Sequence, residues 1–296
     1  MAQGESGVTH LFCFGLGYSA RVLSARLLDQ GWQVTGTSTT ADGAQRINAL
    51  GSKARGLVFD GVTASVEVGE VLQSATHVLT SIPPDQAGDP ALRLHRADLA
   101  RASDLSWIGY LSTIGVYGDW QGAWIDEATP PRPQSPRSIQ RLEAENAWLS
   151  FGAETGKRVQ VFRLPGIYGP GRSAIDNVRA GKARRIVKPG QVFNRIHVFD
   201  IATALNAAMN KAGHHTIYNL TDDEPAPNQD VVQQAAELLG APVPPDEPFE
   251  TAGLGPMAGS FYSESKRVRN TRMKDDLGIT LAFPTYREGL RQIASR

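Results

Sequence analysis

The sequence predicts an α/β protein, a doubly wound parallel sheet with a smaller C-terminal lobe interwoven with it. Three observations carry this reading. Short apolar runs alternate with amphipathic stretches, a Gly-x-Gly-x-x-Ala turn follows the first run, and the rhythm breaks after Pro165. Parallel strands need crossover connections, usually helices, so the alternation points to one sheet covered on both faces.

Taken in order, Thr9 to Gly15, Gln33 to Ser38, Gly56 to Asp60, His77 to Ile82, Trp107 to Thr113 and Val159 to Pro165 are short, apolar and bounded by turn residues. Such runs read as buried parallel strands. Between them, Ser19 to Gln30 places Ala20, Leu23, Leu27 and Leu28 on one helical stripe. Ala44 to Leu50, Ala64 to Ser74, Ala91 to Arg101 and Ser138 to Thr155 are expected to be helices as well. Beyond Pro165, Ala174 to Ala180 reads as a short helix, Arg195 to Phe199 as a strand, Ile201 to Lys211 as an Ala-rich helix and Thr216 to Leu220 as another strand. The Pro-rich acidic segments Asp222 to Asn228 and Gly240 to Phe249 read as ordered surface connections. The expected domains are 1–165, with 193–220 returning to the sheet, and a substrate-side lobe of 166–192 and 221–296.

Charge narrows the function. The 296 residues carry 30 basic and 30 acidic side chains, a net charge of zero. A protein without a long-range positive field is not expected to partner nucleic acid or an anionic membrane surface. A chain of this length buries roughly 75% of its unfolded surface, so neither disulfides nor metals are needed to hold it. Its one cysteine, Cys13, lies in the apolar run Leu11 to Phe14 and reads as a small buried hydrophobe. Met1 to Thr9 is polar and does not read as a secretory signal. No apolar stretch approaches the roughly 18 residues of a membrane span, and a cytoplasmic location is expected.

The turn after the first strand, Gly15-Leu16-Gly17-Tyr18-Ser19-Ala20, opens a helix. In a dinucleotide site the first glycine permits the tight turn and the second lets backbone N–H groups approach a pyrophosphate. The helix N-terminus adds a favourable dipole, and Gly15, Leu16, Gly17, Tyr18 and Ser19 become cofactor contacts. The alternative is a glycine turn that merely packs. At the end of the second strand stands Ser38, followed by Thr39 and Thr40, where an acidic residue would grip the adenosine ribose. Neutral hydroxyls do not repel a 2′-phosphate, so NADP(H) is favoured over NAD(H), with Arg46 as an auxiliary. The competing reading is that these hydroxyls only satisfy strand-end backbone. Asp60 is a candidate adenine contact, and Ser81, Ile82 and Pro83 are placed to border the nicotinamide side.

The fifth strand continues as Leu111-Ser112-Thr113-Ile114-Gly115-Val116-Tyr117-Gly118, and Pro133-Gln134-Ser135-Pro136 comes later. With Arg163 to Gly171, Ile196 to Asp200 and Tyr218-Asn219-Leu220, in that order, the chain resembles the extended short-chain dehydrogenase/reductases, the nucleotide-sugar epimerases and dehydratases. The resemblance runs from about residue 9 to 220. It implies a Rossmann domain, a C-terminal substrate lobe, a small-molecule substrate and often a homodimer. It also makes Arg163 to Gly171 a pocket wall, with Pro165 as a cofactor contact.

Family chemistry uses Ser or Thr with a Tyr-x-x-x-Lys pair, the tyrosine acting as general acid or base and the lysine lowering its pKa and holding the ribose. Thr113 matches the Ser/Thr position. The segment after Pro133 to Pro136 puts Arg137 where the tyrosine belongs and Arg141 where the lysine belongs, with Arg141 a candidate cofactor contact to the ribose hydroxyls. Arginine does not give up its proton near neutrality, so Arg137 cannot replace the acid. Two rescues stand: Tyr117, or less directly Tyr168, acts as the acid, or Arg137 and Arg141, one helical turn apart, clamp an anionic substrate. Against these stand a packing role for both tyrosines and a solvated face for both arginines.

Phe193 stands where nucleotide-sugar enzymes commonly carry an arginine for the diphosphate, with Arg195 displaced by two and Arg172 a further candidate substrate contact. His197 reads as structural. His214 and His215 point oppositely in an extended chain, and no metal site is expected. The basic stretches Lys182 to Lys188 and Lys266 to Lys274 read as solvated faces. Two functions remain open: an atypical oxidoreductase or epimerase-like enzyme, or a noncatalytic NADP(H)-binding redox sensor.

Overall fold

The computed structural model describes residues 9–210 and 213–296. Strand β1 (His10–Phe14) is buried along its whole length. An apolar run without alternation demands that, because both sheet faces are covered. Strand and helix then alternate through α1 (Tyr18–Asp29), β2 (Gln33–Ser38), α2 (Ala41–Asn48), β3 (Ala54–Val58), α3 (Val66–Leu72), β4 (His77–Thr80), α4 (Pro90–Arg101) and β5 (Trp107–Thr113). A short 3-10 turn, Ile114–Tyr117, and strand β6 (Trp124–Ile125) lead to α5 (Pro136–Thr155) and β7 (Arg158–Leu164). There follow β8 (Gly166–Tyr168), α6 (Ala174–Arg179), β9 (Arg185–Val187), β10 (Arg195–His197), α7 (Val198–Asn210) and β11 (Ile217–Asn219). The remainder holds α8 (Asn228–Leu238), β12 (Asp246–Pro248), α9 (Pro256–Ser260), β13 (Arg267–Val268), α10 (Thr271–Leu277) and α11 (Tyr286–Ala294).

The central sheet is seven-stranded and parallel, in the order β11-β7-β5-β4-β1-β2-β3. This is the doubly wound arrangement, with the order reversing between β1 and β4. Phe12 of β1 stands opposite Thr35 of β2 on one side and Val78 of β4 on the other.

Two compact units share the chain. One holds the described residues of Met1–Ser112, Gln140–Phe162 and Ala208–Thr216. The other holds Thr113–Ile139, Arg163–Ala207 and Ile217–Arg296. The core of the first is centred on β1 and β5, with Trp107 and Trp148 fully buried. The second contains an α6, α8 and α11 cluster in which Tyr168, Ile175, Val231, Tyr286 and Leu290 pack together.

Several boundaries differ from the sequence reading for local reasons. Helix α2 starts before the expected Ala44, because the Thr40 hydroxyl caps it, accepting from Gly43 N at 3.1 Å. Strand β3 lies two residues earlier than expected, its register set by pairing of Ser38 with Val58. The strand expected over Arg195 to Phe199 ends at His197, where α7 begins. Lys211, the expected end of that helix, lies outside the described residues, as do Met1 to Gly7 and Val8 of the polar N-terminal segment. The Asp222 to Asn228 segment is not a surface connection throughout: Asp222 is 2% and Ala226 4% exposed, held by Asp222 N to Arg195 O at 2.7 Å. Lys266 is likewise buried, not solvated, donating to Gly118 O at 2.6 Å and Glu264 at 2.7 Å. A Thr285-x-x-Glu288 capping box opens α11, a helix start readable in the sequence and missed there.

Candidate functional site

The reversal of strand order in the first unit falls between β1 and β4, and the residues following those two strands meet there. Gly15 adopts φ +79°, and a Cβ added to it would stand 2.6 Å from Ile82 Cγ2. Its amide donates to Thr37 Oγ1 at 2.8 Å, Leu16 N donates to Thr37 O at 3.0 Å, and the Ser81 hydroxyl donates to Gly15 O. The turn is thus fixed from β2 and from the residue after β4. Gly17, by contrast, faces open space: nothing lies within 4 Å of an added Cβ. It is also the N-cap of α1, which has no side-chain cap. An uncapped helix start with room above it suits an anion, so the residues present fit a dinucleotide pyrophosphate.

Farther along the strand ends, Ser38 is partly buried against Gly43, Thr39 is exposed, and Thr40 is occupied as the α2 cap. The capping alternative therefore holds for Thr40. Arg46 is exposed in the last turn of α2. Asp60 lies outside β3, and its Oδ1 accepts from Val62 N at 2.8 Å and Thr63 N at 3.0 Å. These bonds hold its carboxyl below the usual range. Ser81 and Ile82 are half-buried and brace the glycine turn, while Pro83 is exposed.

Arg141 is half-buried in the first unit. Its Nη1 donates to Leu111 O at 2.7 Å and lies 3.3 Å from the Tyr110 hydroxyl. It is therefore neither a solvated arginine nor one with its whole fork available to an anion. Nearby in sequence, Ser112 donates to the buried Glu145 at 2.5 Å. Burial raises the Tyr110 phenol well above its ordinary range. These polar partners under β5 were not anticipated from sequence, because only tertiary contact shows that the inner face of α5 is polar here. Cys13 is fully buried, and its thiol is pushed up to about 12 by burial.

In the second unit, Thr113 Oγ1 accepts from Gly115 N at 3.1 Å, capping the 3-10 turn. A Cβ on Gly115 would stand 2.8 Å from Ser138 Oγ, so Thr113, Gly115 and Ser138 are close neighbours. Ser135 donates to Ser138 Oγ at 2.9 Å. Ser138 was missed because the family pattern draws attention to the residue before it. Arg137 is exposed and makes no hydrogen bond or ion pair among the described residues. Tyr117 is fully buried, its hydroxyl donating to Asn219 Oδ1 at 2.9 Å and Arg163 stacked 4.7 Å from its ring. Burial raises its pKa. Tyr168 is buried too, donating to Thr285 O at 3.3 Å.

Pro165 is half-buried and Arg172 exposed, while Arg195 is 9% exposed with Nη1 on the carbonyls of Phe193 and Ala226, both at 2.9 Å. Phe193 packs edge-on to Tyr262 at 5.0 Å. His197 is fully buried, its Nδ1 accepts from Phe199 N, and its ring lies 4.0 Å from that of Phe283. Among the described residues no group of three or more His, Cys, Asp or Glu could hold a metal ion. No helix among them is long and apolar enough to cross a membrane.

The model of the NAD dependent epimerase/dehydratase family matches residues 15–221. The chain belongs to that family. Its relatives include Protein YeeZ of Escherichia coli (strain K12), 30% identical over 281 residues, which cover 91% of this chain and 94% of that one. A functionally unknown conserved protein from Silicibacter pomeroyi DSS is 47% identical in sequence, with TM-score 0.87 over 97% of this chain and 99% of its own. The UDP-glucose 4-epimerase of Thermotoga maritima, solved with UDP-glucose, shares the epimerase-family fold at TM-score 0.74 and 19% identity, over 97% of this chain and 98% of that one. The match begins at Gly15, the first residue of the glycine turn.

Proposed function

We propose that this chain binds NADP(H) in preference to NAD(H) at the glycine turn and is an atypical oxidoreductase or epimerase-like enzyme that does not use the family's tyrosine mechanism. The observation that carries the reading is the open backbone at Gly17 beside an uncapped α1, at the reversal of strand order. The absence of a carboxylate at Ser38 supports the phosphorylated cofactor. A bound nicotinamide supplies hydride transfer. Calorimetry with NADPH and NADH tests the preference; equal affinities, or tighter NADH, would refute it.

Thr113 Oγ1 accepts from Gly115 N, which leaves the hydroxyl proton to be offered to a substrate oxygen. It polarises and orients; it is too weak an acid to replace a tyrosine. Arg137, exposed where the family has tyrosine, suits an anionic group on the substrate. Phe193 at the expected arginine position disfavours a nucleoside-diphosphate sugar. In this reading the nucleotide-binding part is 1–165 with 193–220, the substrate lobe is 166–192 with 221–296, and the protein is a cytoplasmic homodimer.

The noncatalytic redox-sensor reading is favoured by one observation, the burial of Tyr117 with its hydroxyl committed to Asn219. Following NADPH absorbance across a panel of small carbonyl acids and sugars separates the two. Turnover that survives Tyr117→Phe supports the enzyme, and cofactor binding without turnover supports the sensor.

A further inference from the structure

The second unit contains a cavity of about 160 Å³ formed among α6, α8, α11 and the segment leading into β9. Its charged lining is wholly cationic: Lys182, Arg184 and Arg195 reach it, and no Asp or Glu does among the described residues. The rest of the lining is mixed: Ala174, Val231, Val232 and Leu290 form an apolar patch, and Asn177 and Asn228 add neutral polar groups.

The three cations are not equivalent. Arg184 is answered by Glu247, to which its Nε donates at 2.9 Å. Arg195 is buried, and only its Nη1 donates to protein groups, both of them neutral carbonyls. Its principal electrostatic partner, Asp222, is itself buried, has an unpaired Oδ2, and is held toward its neutral form by that burial. A buried guanidinium is costly unless its donors are met by anions, and those of Arg195 meet only neutral carbonyls among the described residues. Lys182 is exposed at the cavity, and its ammonium has no hydrogen-bond partner among the described residues.

We propose that this cavity is a binding site for a compact monocarboxylate with an apolar body, its carboxylate between Arg195 and Lys182 and its body against Val231, Val232 and Leu290. The volume sets the size, since a cavity of about 150 Å³ accommodates benzene. A nucleoside diphosphate is far too large. A bare phosphate would satisfy the cations but leave the patch of Val231, Val232 and Leu290 against water, which is why a carboxylate with a hydrocarbon body is the better match. The site lies within one unit and needs no dinucleotide, so it stands or falls independently of the proposed cofactor.

The test is calorimetry on the full chain, without NADPH, using benzoate, its neutral isostere benzamide, and inorganic phosphate as probes. Benzoate is expected to bind at least tenfold more tightly than benzamide. Lys182→Met should weaken benzoate fivefold or more and leave benzamide unchanged, and Ala174→Leu, which fills the cavity, should abolish binding of both. No benzoate binding, equal binding of benzamide, or indifference to Lys182→Met would overturn the proposal. Phosphate binding without benzoate binding would overturn it as well, by assigning the site to phosphate. Lys182 is a surface residue, so its variant keeps the test valid should Ala174→Leu fail to fold.

Discussion

Arg141 donates through Nη1 to the carbonyl oxygen of Leu111 at 2.7 Å, tying α5 to β5 within the first unit. A residue aligned with a family catalytic lysine is thereby occupied, in part, with holding the sheet. Arg141→Met leaves that carbonyl without its donor, at a cost of about 1–3 kcal/mol. Urea unfolding of the variant should show the loss. If NADPH affinity per folded molecule falls tenfold as well, Arg141 also touches the cofactor; an unchanged affinity restricts it to the structural bond.

The two glycines of the turn should separate fold from binding. Gly15→Ala places a side chain at φ +79° and 2.6 Å from Ile82 Cγ2, so it should destabilise by about 1–3 kcal/mol. Gly17→Ala meets nothing within 4 Å. It should melt near the wild-type temperature yet bind NADPH at least tenfold more weakly, because its methyl occupies the path of the pyrophosphate. Unimpaired NADPH binding by Gly17→Ala would contradict the proposed site.

Tyr117→Phe removes the bond to Asn219 and should cost about 1 kcal/mol in unfolding measurements. Turnover, once a substrate is found, should be unaffected. A large fall in kcat with an unchanged unfolding midpoint would return Tyr117 to catalysis.

Acid should destabilise the fold from about pH 6.5 downward. His197 is buried, and burial lowers its pKa from 6.5 to about 4. Above pH 6.5 it is neutral in both states and contributes nothing to the pH slope. Between 6.5 and 4 the unfolded chain takes up the proton and the native one does not, so stability falls with pH, by about 2 kcal/mol at pH 5. His77, lowered to about 4 chiefly by burial, adds in the same direction. Unfolding of His197→Gln at pH 7 and pH 5 should show a correspondingly shallower dependence.

Cys13 should resist thiol reagents in the native protein, since burial both shields it and pushes its pKa up to about 12. Labelling with iodoacetamide should track global unfolding in urea. Rapid labelling without denaturant would mean that β1 opens locally.

Much of this protein was determined by its sequence alone. The apolar runs of β1, β4 and β5 have no polar alternation, so only a sheet covered on both faces can bury them, and the Gly15 to Ala20 turn carries its backbone requirement in residue type. Local chemistry of that kind is legible without coordinates. The Thr285-x-x-Glu288 box is local chemistry of the same kind.

What only the tertiary structure decided concerns groups whose role depends on distant partners. Tyr117 and Asn219 lie far apart in sequence, and nothing in either residue type says that one hydroxyl will be spent on the other. The same holds for Arg141 with Leu111, for Asp222 buried beside Arg195, and for Lys266 drawn inward to Gly118 O. A polar side chain has the same composition whether it is solvated or buried. Its burial follows from how strands and helices pack, and that packing determines its hydrogen bonds and its protonation.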